Sequence, residues 1–155
     1  MGWVKVNFDG ATFKEKNLAG LGGIIHNDRG VVMAAFIQTI PLPTSVKMVE
    51  VLATRSAIGL AQELSLNQVQ VEGDSAIIIK ALSKGGMGSS SFGHIIKDII
   101  SLSSALQCVS FCHTCRQGNR VAHSLARSAC KFSSFQVWME ETSHEIDSVY
   151  SSEIS

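Results

Sequence analysis

Val4-Lys5-Val6-Asn7-Phe8-Asp9-Gly10 alternates apolar and polar side chains and ends on an acid followed by glycine. Alternation at period two marks a half-buried strand and Asp-Gly is a turn signal, so the segment reads as a first strand that delivers a carboxylate at its end. The pattern returns in Gln68-Val69-Gln70-Val71-Glu72-Gly73-Asp74-Ser75, a second strand that ends at an acid. What lies between and beyond these segments decides how the two acids are arranged.

Leu21–His26 and Val31–Ile40 are apolar, partly β-branched runs separated by Asn27-Asp28-Arg29-Gly30. They predict a hairpin that completes an antiparallel meander with the first strand. After Pro41-Leu42-Pro43, Thr44 or Ser45 is placed to cap a helix, and Met48, Val49, Leu52, Ile58 and Leu60 keep helical spacing to about Leu64. Glu50 falls in its early turns, on a stripe of small residues with Thr54 and Ala57 where a sheet can come close. Asn67 breaks this helix before the strand that ends at Asp74. Ser75–Leu82 and Phe92–Leu106 read as two more helices joined by a Gly/Ser-rich connection, Lys84–Ser91. Cys108–His113 reads as a fifth strand and Asn119–Lys131 as a final helix, with Trp138 as a packing anchor in a less regular end.

The order β-β-β-α-β-α-α-β-α predicts an α/β fold with a five-stranded mixed sheet. Strands one to three are antiparallel, four and five add in parallel, and helices flank the sheet. Right-handed crossovers place strand four beside strand one, so Asp9 and Asp74 become neighbours. One domain is expected over 3–138, followed by a tail, 139–155.

With 155 residues and 45% hydrophobic side chains the chain has material for one core. Thirteen Lys and Arg against thirteen Asp and Glu give no bulk positive field, so any nucleic-acid binding needs a local patch. Leu18–Ile25 and Val31–Ile37 fall well short of the ~20 apolar residues of a membrane span. Met1-Gly2-Trp3 leads straight into a strand pattern without a secretion signal, so an intracellular setting, nucleus or cytoplasm, is the expectation, for a monomer. Cys108, Cys112 and Cys115, with His113 and His123, raise a zinc reading. The alternation of Cys108, Ser110 and Cys112 with Val109, Phe111 and His113 fits a strand better.

Two carboxylates at adjacent strand ends and a third from a helix repel one another unless a cation sits among them, and hard ions with oxygen ligands, Mg²⁺ above all, suit such a cluster. Two such ions would activate water on one side of a phosphate and stabilise the leaving oxygen on the other.

Val6-Asn7-Phe8-Asp9-Gly10-Ala11, Ala19-Gly20-Leu21-Gly22-Gly23 with Asp28-Arg29-Gly30, Glu50 in a long helix, and Glu72-Gly73-Asp74-Ser75 together resemble the type 1 ribonuclease H pattern. The closing Arg116-Gln117-Gly118-Asn119-Arg120-Val121-Ala122-His123-Ser124-Leu125-Ala126-Arg127 is similar to plant reverse-transcriptase-like domains. The resemblance covers about Trp3 to Trp138. It implies a ribonuclease H-like fold and a metal-dependent endonuclease that hydrolyses the RNA strand of RNA–DNA hybrids, leaving a 5′-phosphate and a 3′-hydroxyl. It implies Asp9, Glu50, Asp74 and His123 as catalytic and metal residues for two Mg²⁺ or Mn²⁺ ions, with Asp9 bridging. Gly10, Ser75, Arg116 and Asn119 would touch nucleic acid, though Asn119 is also placed to cap the last helix. Lys14, Lys16, Arg120 and Arg127 are further candidates for phosphate contacts.

The chain departs from the family in three places. A fourth acid is usual four residues after the Asn of the last helix, and His123 stands there. An imidazole takes a transition metal or bonds to a water but brings no negative charge. The histidine-bearing loop before that helix is short, with His113 at the end of a strand, and the basic extension of some relatives is absent from Lys84-Gly85-Gly86-Met87-Gly88. Two alternatives therefore stand beside the hybrid nuclease: a degenerate domain that binds nucleic acid or protein without cutting, and an exonuclease of related fold acting on single strands.

Overall fold

The computed structural model describes residues 3–84, 93–131 and 135–139. Strands β1 (Val4–Phe13), β2 (Leu18–His26) and β3 (Val32–Pro41) make the antiparallel meander. Asn27 shapes its hairpin, its side-chain oxygen accepting from the backbone N–H groups of Arg29 at 2.9 Å and Val31 at 3.0 Å. Helix α1 (Val46–Glu63) begins where Ser45 Oγ accepts the Met48 N–H at 3.2 Å. Then follow β4 (Gln68–Gly73), α2 (Ala76–Lys84), α3 (Gly93–Ser103), β5 (Cys108–His113), α4 (Arg120–Ser128) and β6 (Gln136–Met139). The sheet order is β5-β4-β1-β2-β3-β6, with β4 parallel to β1 and β5 parallel to β4, as right-handed crossovers require.

The period-two pattern of each strand divides the molecule into layers. Val6 and Phe8 of β1, with Val69 and Val71 of β4, pack into one large core with Val49, Ala53, Ala57 and Ile58 of α1, Ile78 of α2 and Ile96 and Ile99 of α3. The other face is covered by α4, whose Leu125 joins Ile24, Ala35, Ile37 and Ala129 in a smaller core.

The structure corrects the sequence expectation in three places. First, β1 does not end at Asp9-Gly10. Asp9, Gly10 and Ala11 pair with Gly22, Leu21 and Gly20 of β2, and the chain reverses only after a one-turn 3-10 helix at Lys14–Lys16, with Asn17 left-handed at φ 56°. A nine-pair antiparallel ladder outweighs the local turn preference of Asp-Gly. Second, the sheet has six strands rather than five. Gln136–Met139 pairs with Ala34–Ile37 of β3, Trp138 packs half-buried on the smaller core, and Phe135 stacks on Phe36 at 6.0 Å. Third, Asn119–Lys131 is not one helix: 3-10 turns at Arg116–Asn119 and Ala129–Lys131 flank α4. Beyond Lys84, the Gly/Ser-rich connection lies outside the described residues, as does the tail after Met139.

Candidate metal centre

The pairing of β4 with β1 stops at Glu72 opposite Asn7. Beyond that point β1 continues along β2 while β4 gives way to Asp74 and α2, and a crevice opens between the diverging chains. Asp9 lies in β1 at the bottom of it, only 3% exposed. Asp74 leaves the end of β4, and Ser75 caps α2, its Oγ accepting the Ile78 N–H at 3.5 Å. Glu50 reaches in from the second turn of α1, which lies so close to β1 that a Cβ on Gly10 would run into Val49. The glycine thus permits the helix contact that carries the third acid. Below Glu50, Thr54 is fully buried and its hydroxyl donates to the Glu50 carbonyl at 2.9 Å.

One carboxylate oxygen from each of Asp9, Glu50 and Asp74 lies within 4.8 Å of the others. Glu50 Oε2 is buried and, among the described residues, has no hydrogen-bond partner. Burial, then the Asp9 and Asp74 charges, push the Glu50 carboxyl up to about 10. Burial and the Asp9 charge also raise Asp74, with Arg116 and His123 opposing. An acid stripped of water, surrounded by like charge and left with an orphaned oxygen is a group that a hard cation satisfies.

The remaining site residues take different places. His123, one turn into α4, directs Nδ1 to Asp9 Oδ2 at 2.7 Å, and stands outside the three-acid group. With a carboxylate oxygen as its partner, Nδ1 is the donor of this bond. Ser75 and Arg116 line an open cleft of about 380 Å³ with Glu50, Asp74, Val46 and Lys47. His113, the last residue of β5, borders the same cleft, with Nε2 3.3 Å from the Asp74 carbonyl. Lys14, Lys16 and Arg127 are exposed at the far end of β1, where Arg127 lies over the Phe13 ring at 5.9 Å. Asn119 precedes α4, but its side chain does not cap it. It is 1% exposed, donates to the Phe8 carbonyl at 2.8 Å and accepts from Asn7 Nδ2 at 3.1 Å.

Sequence reasoning missed Lys47 on the rim and Asn7 beneath the site. Lys47 had a signal in its position one turn before Glu50 on the same helix face. Asn7 read as an ordinary outward residue of an alternating strand.

A mixed sheet that opens beside its first strand, with three acids converging on the opening, defines the ribonuclease H class of fold. Ribonuclease H1 of the halophilic archaeon Halobacterium salinarum superposes with a TM-score of 0.76 over 84% of this chain and 98% of that one, at 23% identity. The N-terminal ribonuclease H domain of a Mycobacterium tuberculosis protein covers 98% of this chain and 99% of its own at a TM-score of 0.74 and 17% identity. LC11 ribonuclease H1, solved with an RNA/DNA hybrid, covers 83% and 96% at 0.73 and 20%. Residues 7–129 match the reverse transcriptase-like family, and the chain belongs to it. An Arabidopsis thaliana protein whose name assigns it provisionally to ribonuclease H is 29% identical over 133 residues, 86% of this chain. The chain spans 21% of that relative's length.

Proposed function

We propose that this domain hydrolyses the RNA strand of RNA–DNA hybrids, using a hard divalent cation, Mg²⁺ or Mn²⁺, held by Asp9, Glu50 and Asp74. The observation that carries the proposal is the grouping of one carboxylate oxygen from each of these acids within 4.8 Å, with Glu50 Oε2 buried and, among the described residues, unpartnered. The hybrid bound to LC11 ribonuclease H1 supports the choice of substrate. When bound, the cation supplies positive charge at the phosphate and a water acidic enough to attack it. Asp9, the most buried of the three, fixes the centre to the sheet, and Glu50 and Asp74 close it from two sides. Arg116 and Lys47, which line the cleft with Ser75, hold the backbone phosphates of the duplex. His123 holds Asp9 in place through Nδ1 and offers Nε2 to a second ion or to a water.

A second reading, a domain that binds nucleic acid without cutting it, is favoured by one observation: His123 stands where a fourth acid is usual and brings no negative charge. Incubating the purified domain with labelled hybrid, single-stranded RNA and single-stranded DNA in Mg²⁺ or Mn²⁺ separates the readings. Cutting of RNA within the hybrid alone, abolished by Asp9→Asn, is the expected result. An untouched hybrid at high Mn²⁺ leaves the non-cutting binder, and cutting of single strands points to an exonuclease.

A further inference from the structure

Beneath the acids lies a polar chain that the metal centre does not use. Asn7 and Asn119 are both buried, 5% and 1% exposed, and their side chains are joined by hydrogen bonds. Asn119 Nδ2 donates to the Phe8 carbonyl at 2.8 Å, so Oδ1 faces Asn7 and accepts from its Nδ2 at 3.1 Å. The other hydrogen of Asn7 Nδ2 goes to Glu72 Oε2 at 3.1 Å. Glu72 is held in turn by Gln70 Nε2 at 2.9 Å and Lys5 Nζ at 3.4 Å. The Phe8 carbonyl accepts only, which fixes Asn119, and Asn119 Oδ1 accepts only, which fixes Asn7, so each amide has a single orientation that satisfies the chain. A one-way relay thus runs from β4 through β1 to the residue that opens α4.

Helix geometry gives this relay its meaning. Residues four apart lie on one helix face, so Asn119 and His123 are stacked one turn apart. They grip consecutive residues of β1: Asn119 the carbonyl of Phe8, His123 the carboxylate of Asp9. The depth of α4 on the sheet is set elsewhere, by Gly20 and Gly22, where a Cβ would strike the Ala126 backbone. Glycine contacts of this kind set how closely the helix approaches, while its axial position is held by Leu125 in the smaller core and, at the metal-site end, by the polar contacts of Asn119.

We infer that Asn119, oriented by Asn7 and Glu72, is a positioning residue that fixes the axial register of α4 on β1 and so places His123 Nδ1 on Asp9. The inference deepens the proposed nuclease site and rests on that reading for its kinetic consequence, but its structural consequence is independent of catalysis. A buried polar side chain carries a desolvation cost that an apolar one would not, and its satisfied hydrogen bonds specify geometry in return.

The test compares Asn119→Ala, Asn7→Ala and, as a stability control in the α3 core, Ile99→Val. The first readout is the hydrogen-bonded Nδ1 proton of His123 by NMR of the intact domain without metal; the second is kcat and KM for hybrid cleavage. Asn119→Ala is expected to lose the His123 signal and to drop kcat by on the order of 10²-fold with KM little changed, as displacement of a site group does. Asn7→Ala should show the same signature more weakly, and it keeps the test open if Asn119→Ala does not fold. Ile99→Val should lower the melting temperature and leave both readouts in place. Retention of the His123 signal in both Asn variants overturns the inference, as does a loss of signal equalled by Ile99→Val. A parent protein that cuts no hybrid defeats the nuclease reading alone, since the NMR arm still decides the placement of His123.

Discussion

Among the described residues Glu50 carries the largest electrostatic burden, and its behaviour is testable without substrate. Its carboxyl ordinarily ionises at 4.5 and here at about 10, so between these values the folded chain holds a proton that the unfolded chain has released. The stability from that proton is complete below about pH 4.5 and is lost as pH rises toward about 10. In EDTA at pH 8, Glu50→Gln should therefore melt higher than the parent, by on the order of 5 °C, and the gap should close near pH 4. Mg²⁺ or Mn²⁺ should raise the parent's melting temperature and move Glu50→Gln much less, because ligand binding stabilises only a chain that can bind. His123 gives the second residue-scale prediction. His123→Asp restores a fourth negative charge beside Asp9, and titration calorimetry should show tighter Mg²⁺ binding and a second bound ion where the parent binds one. Equal stoichiometry in the two chains would show that the fourth position does not recruit a cation.

At the scale of elements, the placement of α4 depends on backbone meeting backbone. A Cβ on Gly22 would press on the Ala126 N–H and the Ala122 carbonyl, neither of which can yield without moving the helix. Gly22→Ala is expected to cost about 1–3 kcal/mol in urea unfolding and to weaken the His123–Asp9 bond along with it. The elements themselves were largely legible: Ser45 begins α1, Asn27 and Gly30 turn the hairpin, and β4 ends one residue before Asp74, all because short-range chemistry agrees with the tertiary fold there. The failures are places where long-range pairing decides. Asp9-Gly10 has the chemistry of a turn and the environment of a ladder, so β1 ran past its expected end. The four residues of β6 carry too little alternation to announce a strand without β3 beside them. Asn119 is of a residue type that favours a cap, and only the nearness of Phe8 and Asn7 in space shows why its side chain turns elsewhere. The acids at 9, 50 and 74 were readable from order and spacing, whereas the position of His123 outside their group needed coordinates.

For the whole molecule, formal neutrality conceals a division of charge. Five of the thirteen acids, Glu140, Glu141, Glu145, Asp147 and Glu153, follow Met139, and every Lys and Arg precedes it. Residues 1–139 therefore set thirteen basic side chains against eight acidic ones, a net +5, and three of those eight form the acidic cluster. A chain ended at Met139 should bind a hybrid more tightly than the full chain at low salt, with a steeper fall of affinity as salt rises, measured by fluorescence polarisation. Identical affinities and slopes would show that the acidic residues do not act on the binding surface. The crevice itself has a different origin from its charges. It exists because the two neighbours of β1 part company after Asn7, β2 staying with it and β4 leaving, which makes the opening a switch point of the sheet's connectivity. Connectivity is not altered by exchanging one side chain for another. Exchanging an acid for a histidine there changes the charge the hollow presents and leaves the hollow itself in place.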